Sequence, residues 1–202
     1  MSTDHTRGGK VAAPLSDSAH ASIQEAVRLL LSAVGENSTR EGLLKTPERV
    51  ARMYEELLEG YRLSPEGVVG DALYESPSRE LVTVQQIPFS SLCEHHMLPF
   101  TGLVHVAYIP RRHIIGLSKI PRLVEVYAKR LQVQERLTQQ LASALTELLD
   151  PLGVMVLIEG EHACAGLRGV KKAGVQMVTR ATRGLFVENY ELQRAVSDQL
   201  KR

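Results

Sequence analysis

Two cysteines and seven histidines occur in a chain of 202 residues, and each cysteine lies in a short run with histidine. Cys93 opens the run Cys93-Glu94-His95-His96, and Cys164 closes the run Glu161-His162-Ala163-Cys164. Thiolate and imidazole are ligands that suit zinc. Cys93 and His96, three positions apart, share one side of a helical turn, which leaves His95 pointing elsewhere. His162 and Cys164, two apart, share one face if their segment is a strand. Cys93, His96 and Cys164 would supply three ligands and leave a fourth position open to water, as in catalytic zinc sites. Spacing alone leaves two other readings open. One is a closed structural zinc with His95 or His162 as the fourth ligand; the other is a pair of cysteines acting as small buried hydrophobes.

Rigid elements must bring two such distant segments together. Leu81 to Val84 and Ile87 to Phe89 read as a strand running into the first cluster. Thr101 to Ile109 alternates as a second strand, closed by Pro110. The first cluster then lies in a turn between two strands. Val154 to Glu159 is a continuous apolar strand leading to His162 and Cys164. Val175 to Thr182, with Leu185 and Phe186, suggests a final strand pair. Ile23, Val27, Leu30, Leu31 and Val34 recur at helical spacing, and Gly35 is a stop. Thr46-Pro47-Glu48 has a capping hydroxyl, a proline at the first helical position and an acid in the first turn. Tyr61 to Ser78, with two prolines and two glycines, reads as a connection, and Asp150 to Gly153 as a turn. Leu192, Val196 and Leu200 mark a last helix from about Glu188 to Arg202.

Several charged residues have both a bland and a chemical reading. Arg49 and Arg52 share a helix face whose default is solvated surface. Ser118 is a suitable N-cap for a helix with the stripe Ile120, Leu123, Val124 and Tyr127. With Lys119 and Arg122 beside it, that helix start is either an anion site or an ordinary cap with exposed cations. A long helix is expected from Gln132, buried along Val133, Leu137, Leu141, Leu145 and Leu148, with Glu135 in its first turn. Read alone, Glu135 is a solvated helix acid favoured by the helix dipole.

Cys93-Glu94-His95-His96, Pro99-Phe100-x-Gly102, Gly116-Leu117-Ser118-Lys119-Ile120, Gln132-Val133-Gln134-Glu135-Arg136-Leu137-Thr138 and His162-x-Cys164 with Arg168-Gly169 follow one another in order. Together they closely resemble the GTP cyclohydrolase I family, from about Glu41 to Phe186. The resemblance implies zinc-dependent opening of the guanine imidazole ring of GTP at C8. Formate and 7,8-dihydroneopterin triphosphate would be released, the first step toward pterins and folates. It implies Zn2+ on Cys93, His96 and Cys164, with His95, His162 and Glu94 as catalytic residues. Glu135 and Gln134 would hold the guanine edge. Ser118, Lys119, Arg122, Arg168, Arg49 and Arg52 would hold the triphosphate or ribose. The family has a lysine where Arg52 stands, so the charge is kept while the geometry differs. Gly166, Leu167, Arg180 and Arg183 also depart from some relatives, which bears on the phosphate contacts and not on the metal.

The implied fold is α+β, the tunnelling fold: an antiparallel sheet with helices packed on one face, plus N-terminal helices. Its subunits join sheets into an oligomeric barrel, a decamer of two pentamers with active sites between subunits. The chain would divide into a mobile tail at 1–18, a helical region at 19–60 and the catalytic domain at 61–202. A nitrile reductase of the same fold, which uses a cysteine nucleophile and a nicotinamide, is the enzymatic rival. A zinc-stabilised binding module is the non-enzymatic one.

Bulk composition is compatible with all of this. Hydrophobic residues make up 44%, charged residues 23%, and the formal net charge is +1. Such a balance exerts no general pull toward nucleic acid or an anionic membrane, so neither is expected as a partner. There is no repeat, no P-loop and no Rossmann glycine pattern. No apolar run reaches membrane-spanning length, and the N-terminus lacks a signal-peptide core. Two cysteines, each beside a histidine, do not look like a secreted disulfide framework, though counting alone leaves a disulfide between them open. A cytoplasmic location is therefore expected.

Overall fold

The computed structural model describes residues 12–200. In chain order the elements are α1 (Asp17–Ala33), α2 (Thr46–Leu57), α3 (Pro65–Val69), β1 (Leu73–Glu75), β2 (Val82–Cys93), β3 (Pro99–Ile109), β4 (His113–Ile115), α4 (Lys119–Ala128), β5 (Leu131–Gln132), α5 (Gln134–Leu149), β6 (Gly153–His162), α6 (Ala163–Gly166), β7 (Gln176–Gly184) and α7 (Tyr190–Leu200). The class is α+β, as expected. Of the tail anticipated at 1–18, residues 1–11 lie outside the described residues.

Five strands form the main sheet in the order β5-β2-β3-β6-β7, antiparallel except for the short β2–β5 pairing. Strand alternation sorts the side chains into two faces. Val104, Val106 and Tyr108 of β3 and Val154, Val156 and Ile158 of β6 meet Ile120, Leu123 and Val124 of α4 and Leu137, Leu141 and Leu145 of α5 in the main core. The intervening residues Ala107, Ile109 and Met155 face the other way, where Phe186 and Val196 cover them. Helices α4 and α5 thus share one face, and α7 shields one end of the opposite face.

Several local expectations are refined. Helix α1 begins at Asp17, capped by Ser16, whose side chain accepts from the Ala19 N–H. Lys45, not Thr46, is the N-cap of α2, without a side-chain cap bond, and the Thr46 hydroxyl points back toward the Gly42 carbonyl. The stretch 61–78 contains α3 and β1, and β1 pairs with β4 as a small second sheet. The strand expected over 81–89 is β2, which runs on to Cys93 and has a register shift between Val84 and Ile87, with Gln86 at φ 56°. Gln132 ends β5, so α5 starts at Gln134. The final strand pair is one strand, β7, and Phe186 beyond it is buried.

The helical N-terminal region is tied to the sheet layer at Gly60. Its N–H donates to the Lys129 carbonyl, and its carbonyl accepts from Arg130. A Cβ at Gly60 would collide with the Val126 and Lys129 carbonyl oxygens, so glycine permits this close approach. Among the described residues no helix is long and apolar enough to cross a membrane.

Candidate metal centre

The first cluster closes the hairpin between β2 and β3. The Cys93 N–H donates to the Leu98 carbonyl, and the N–H groups of His96 and Met97 return to the Cys93 carbonyl. Met97 takes φ 54°, the left-handed turn residue that reverses the chain. Behind the hairpin, the Glu94 N–H donates to the Gln132 carbonyl, and both terminal nitrogens of Arg136 hold one Glu94 carboxylate oxygen at 2.6 and 2.7 Å. The turn is therefore fastened by backbone to the end of β5 and by side chain to the first turn of α5.

The second cluster lies where β6 runs out. His162 is the last residue of β6, and Cys164 belongs to the single turn α6, so the pair does not share a strand face. Register still brings the clusters together, because Phe100, on the far side of the metal turn, pairs with His162. The ligand atoms of Cys93, His96 and Cys164 all lie within 4.8 Å of one another. The two sulfurs are 4.0 Å apart. Tetrahedral zinc with Zn–S near 2.3 Å sets two thiolates about 3.8 Å apart, so the gap suits an ion between them. Cys93 is buried, Cys164 half-buried and His96 exposed, which leaves one side open. Burial, and then the nearby Cys93, pushes the Cys164 thiol up. A dication bonded to both sulfurs would reverse that preference.

His95 is exposed, with Nδ1 3.7 Å from the Cys93 sulfur. His162 is half-buried, and its ring lies flat on Phe100 at 4.6 Å and 4°. Burial pulls its pKa down, opposed by the negative field of Glu135. His162 Nε2 meets the side-chain oxygen of Gln134 at 3.0 Å. A cleft of about 250 Å³ opens beside it, lined by Pro99, Thr101, Glu161, His162 and the loop after Cys164. A larger cleft of about 910 Å³, between Arg111 and the start of α7, has no cysteine or histidine in its lining.

The remaining expected site residues fall into three groups. Glu135 is exposed at the first turn of α5, close enough to act on His162. Ser118, Lys119 and Arg122 gather at the start of α4; the Ser118 side chain makes no cap bond there, while Lys119 reaches the Val68 carbonyl at 2.9 Å. Arg49, Arg52 and Arg168 are exposed, and Arg52 is paired with Glu48 on α2. Of these cations, Arg168 lies close enough to Cys164 for its charge to act on that thiol. Gln134 departs from expectation. It is fully buried and its polar atoms are engaged inside the protein, so it has none to offer a guanine edge. Phe100, Arg136, Thr138 and Thr179 are supporting residues without a sequence assignment. Phe100, Arg136 and Thr138 carried a signal in their places within the quoted motifs, and Thr179 carried none.

Comparison with known proteins agrees with this geometry. The profile of the GTP cyclohydrolase I family matches residues 23–201. GTP cyclohydrolase 1 of Campylobacter jejuni subsp. doylei is 52% identical over 170 residues, 84% of this chain and 90% of that protein. The protein of the same name from Pelotomaculum thermopropionicum is 54% identical over 168 residues, 83% of this chain and 89% of that one. Among solved structures, an archaeosine synthase QueF-like protein in the apo form is 24% identical with a TM-score of 0.45, covering 55% of this chain and 97% of its own. A profile match along nearly the whole chain, with more than half of the aligned residues identical to named enzymes, establishes that the chain belongs to the GTP cyclohydrolase I family.

Proposed function

We propose that the protein hydrolyses GTP at guanine C8, releasing formate and forming 7,8-dihydroneopterin triphosphate, with zinc held by Cys93, His96 and Cys164. The observation that carries this reading is the convergence of those three ligand atoms within 4.8 Å, from segments far apart in the chain. When bound, zinc would supply the Lewis acidity that activates water toward a poorly electrophilic purine carbon.

The chain's own groups account for the rest. His162, beside the ligand group and backed by Phe100, is suited to proton transfer at N7 and in ring opening. His95, exposed next to Cys93, serves on the ribose and base side. Glu94, held by Arg136, keeps the metal turn in place, which supports a positioning role rather than a bare catalytic carboxylate. Glu135 offers a carboxylate able to accept from both N1–H and the 2-amino group of guanine, a donor pair that adenine lacks. Ser118, Lys119 and Arg122 form a cationic helix start suited to phosphate, and Arg168, Arg49 and Arg52 supply further charge. We assign the arginines of α2 to a neighbouring subunit's nucleotide within a decamer of two pentamers, working in the cytoplasm on GTP without nucleic acid or membrane.

The test is a GTP-dependent formate assay without nicotinamide, run beside metal analysis of the same sample. The expected result is formate released in step with zinc content. Fully zinc-loaded protein that releases none would overturn the assignment.

A further inference from the structure

The fully buried Gln134 makes a set of hydrogen bonds that fixes where protons reside on its neighbour. Its side-chain nitrogen lies 3.1 Å from the Ile158 carbonyl, 2.8 Å from the Met177 carbonyl and 3.1 Å from Thr179 Oγ1. Reversing the amide would set its oxygen against two carbonyl oxygens, which cannot donate. The hydroxyls agree with this orientation. Thr138 Oγ1 donates to the Gln134 carbonyl at 2.7 Å, so it can only accept from Thr179 Oγ1, also at 2.7 Å. Thr179, having given its one proton away, is left to accept from the Gln134 amide. The amide oxygen is then directed at His162 Nε2, 3.0 Å away. An amide oxygen only accepts, so Nε2 must be the protonated nitrogen.

We infer that Gln134 is a positioning residue that locks His162 in the Nε2–H tautomer, leaving Nδ1 as the only ring atom able to act on a bound nucleotide. This rests on the reading above in which His162 handles protons during ring opening. The flat Phe100 ring fixes the imidazole plane, and Gln134 fixes its direction within that plane. Gly160 makes room for the device, since a Cβ there would strike the Gln134 side-chain oxygen. On that reading Nδ1 is the ring atom that meets the nucleotide, while Nε2–H stays bonded to Gln134.

The experiment uses the full, zinc-loaded chain labelled with 15N-histidine and long-range proton–nitrogen correlation spectra. His162 is assigned by the signals lost in His162→Gln. The expected result is one tautomer, with Nε2 protonated and Nδ1 bare; a protonated Nδ1 overturns the inference. Gln134→Met removes the acceptor at nearly constant volume, and its His162 is expected to show both tautomers. Its kcat for formate release should fall at least about tenfold, with the KM for GTP within about twofold, as for a displaced acid–base group. A raised KM at unchanged kcat would instead put Gln134 on the guanine and overturn the proposal. Should Gln134→Met fail to fold, the spectrum of the unaltered protein still decides. A native protein that shows the expected tautomer yet releases no formate would sink the functional reading and leave the lock standing.

Discussion

At the scale of single residues, the metal trio and a buried histidine make different demands on stability. Cys164 is half-buried at the rim of a core built from α4, α5 and the sheet, so that core does not need a metal to close. Cys164→Ser is therefore expected to lose zinc and formate release while keeping its melting temperature within a few degrees, read by metal analysis and a thermal scan. Collapse of the fold on zinc loss would move the centre to a structural role. His105 is the opposite case. Its Nδ1 accepts from the Gln86 N–H, its Nε2 has no protein partner among the described residues, and burial lowers its pKa, with Glu159 opposing. The unfolded chain then binds a proton more readily than the folded one, so stability is full above the ordinary histidine range. It falls as pH drops through about 6.5 and levels off only below the depressed native value. Urea midpoints at pH 7.5 and 5.5 should differ less in His105→Gln than in the unaltered chain. The trio was legible in the sequence because cysteine and histidine are scarce and chemically particular. Gln134 was not, because a glutamine at a helix start reads as solvated until Thr138 and Thr179 close around it.

At the scale of elements, close approach of strands β3 and β6 does most of the positioning. A Cβ on Gly102 would overlap the Glu159 carbonyl oxygen, which is backbone and cannot swing aside. Gly102→Ala should therefore cost about 3 kcal/mol, seen as a lowered urea midpoint with unchanged slope, and should weaken the centre by shifting Phe100 against His162. The clamp from α5 to the metal turn predicts the reverse balance. Glu94 and Arg136 are partly exposed, so Arg136→Met should alter stability by less than about 1 kcal/mol. It should nevertheless weaken zinc affinity by about tenfold or more in a chelator competition, because the turn that holds Cys93 and His96 loses its fastening. Periodicity predicted the long elements well, since α5 and β6 bury continuous apolar sets. It missed β1 and β4, three residues each, which are held by pairing to one another rather than by any pattern of their own. It also left open whether Cys164 sits on a strand, because a one-turn helix such as α6 is too short to show a period.

At the scale of the whole molecule, the proposed oligomer has exposed surface to bury. Strand β7 ends the sheet with Val178 at 58% exposure, and α1 carries Leu29 and Leu30 at 63% and 62% exposure, with Val34 at its C-cap at 69%. A nine-residue edge strand offers unpaired backbone groups to another chain, and an apolar helix stripe offers area to bury. The Cys/His group and the arginines of α2 occupy different parts of one chain, and the proposed reading joins them across a subunit boundary. Subunit mixing tests this directly. Cys93→Ser keeps its arginines but lacks a metal site, whereas the Arg49→Ala, Arg52→Ala double variant keeps the metal site but lacks those cations. Each alone should release formate poorly. Dissociated and reassembled in equal amounts, random hybrids would place an intact metal site beside a neighbour's intact arginines at about a quarter of all boundaries. Formate release should then recover to roughly that fraction of the unaltered enzyme's rate. If both halves of the site came from one chain, no mixture could create a whole site, and the mixed sample would stay as inactive as its parts.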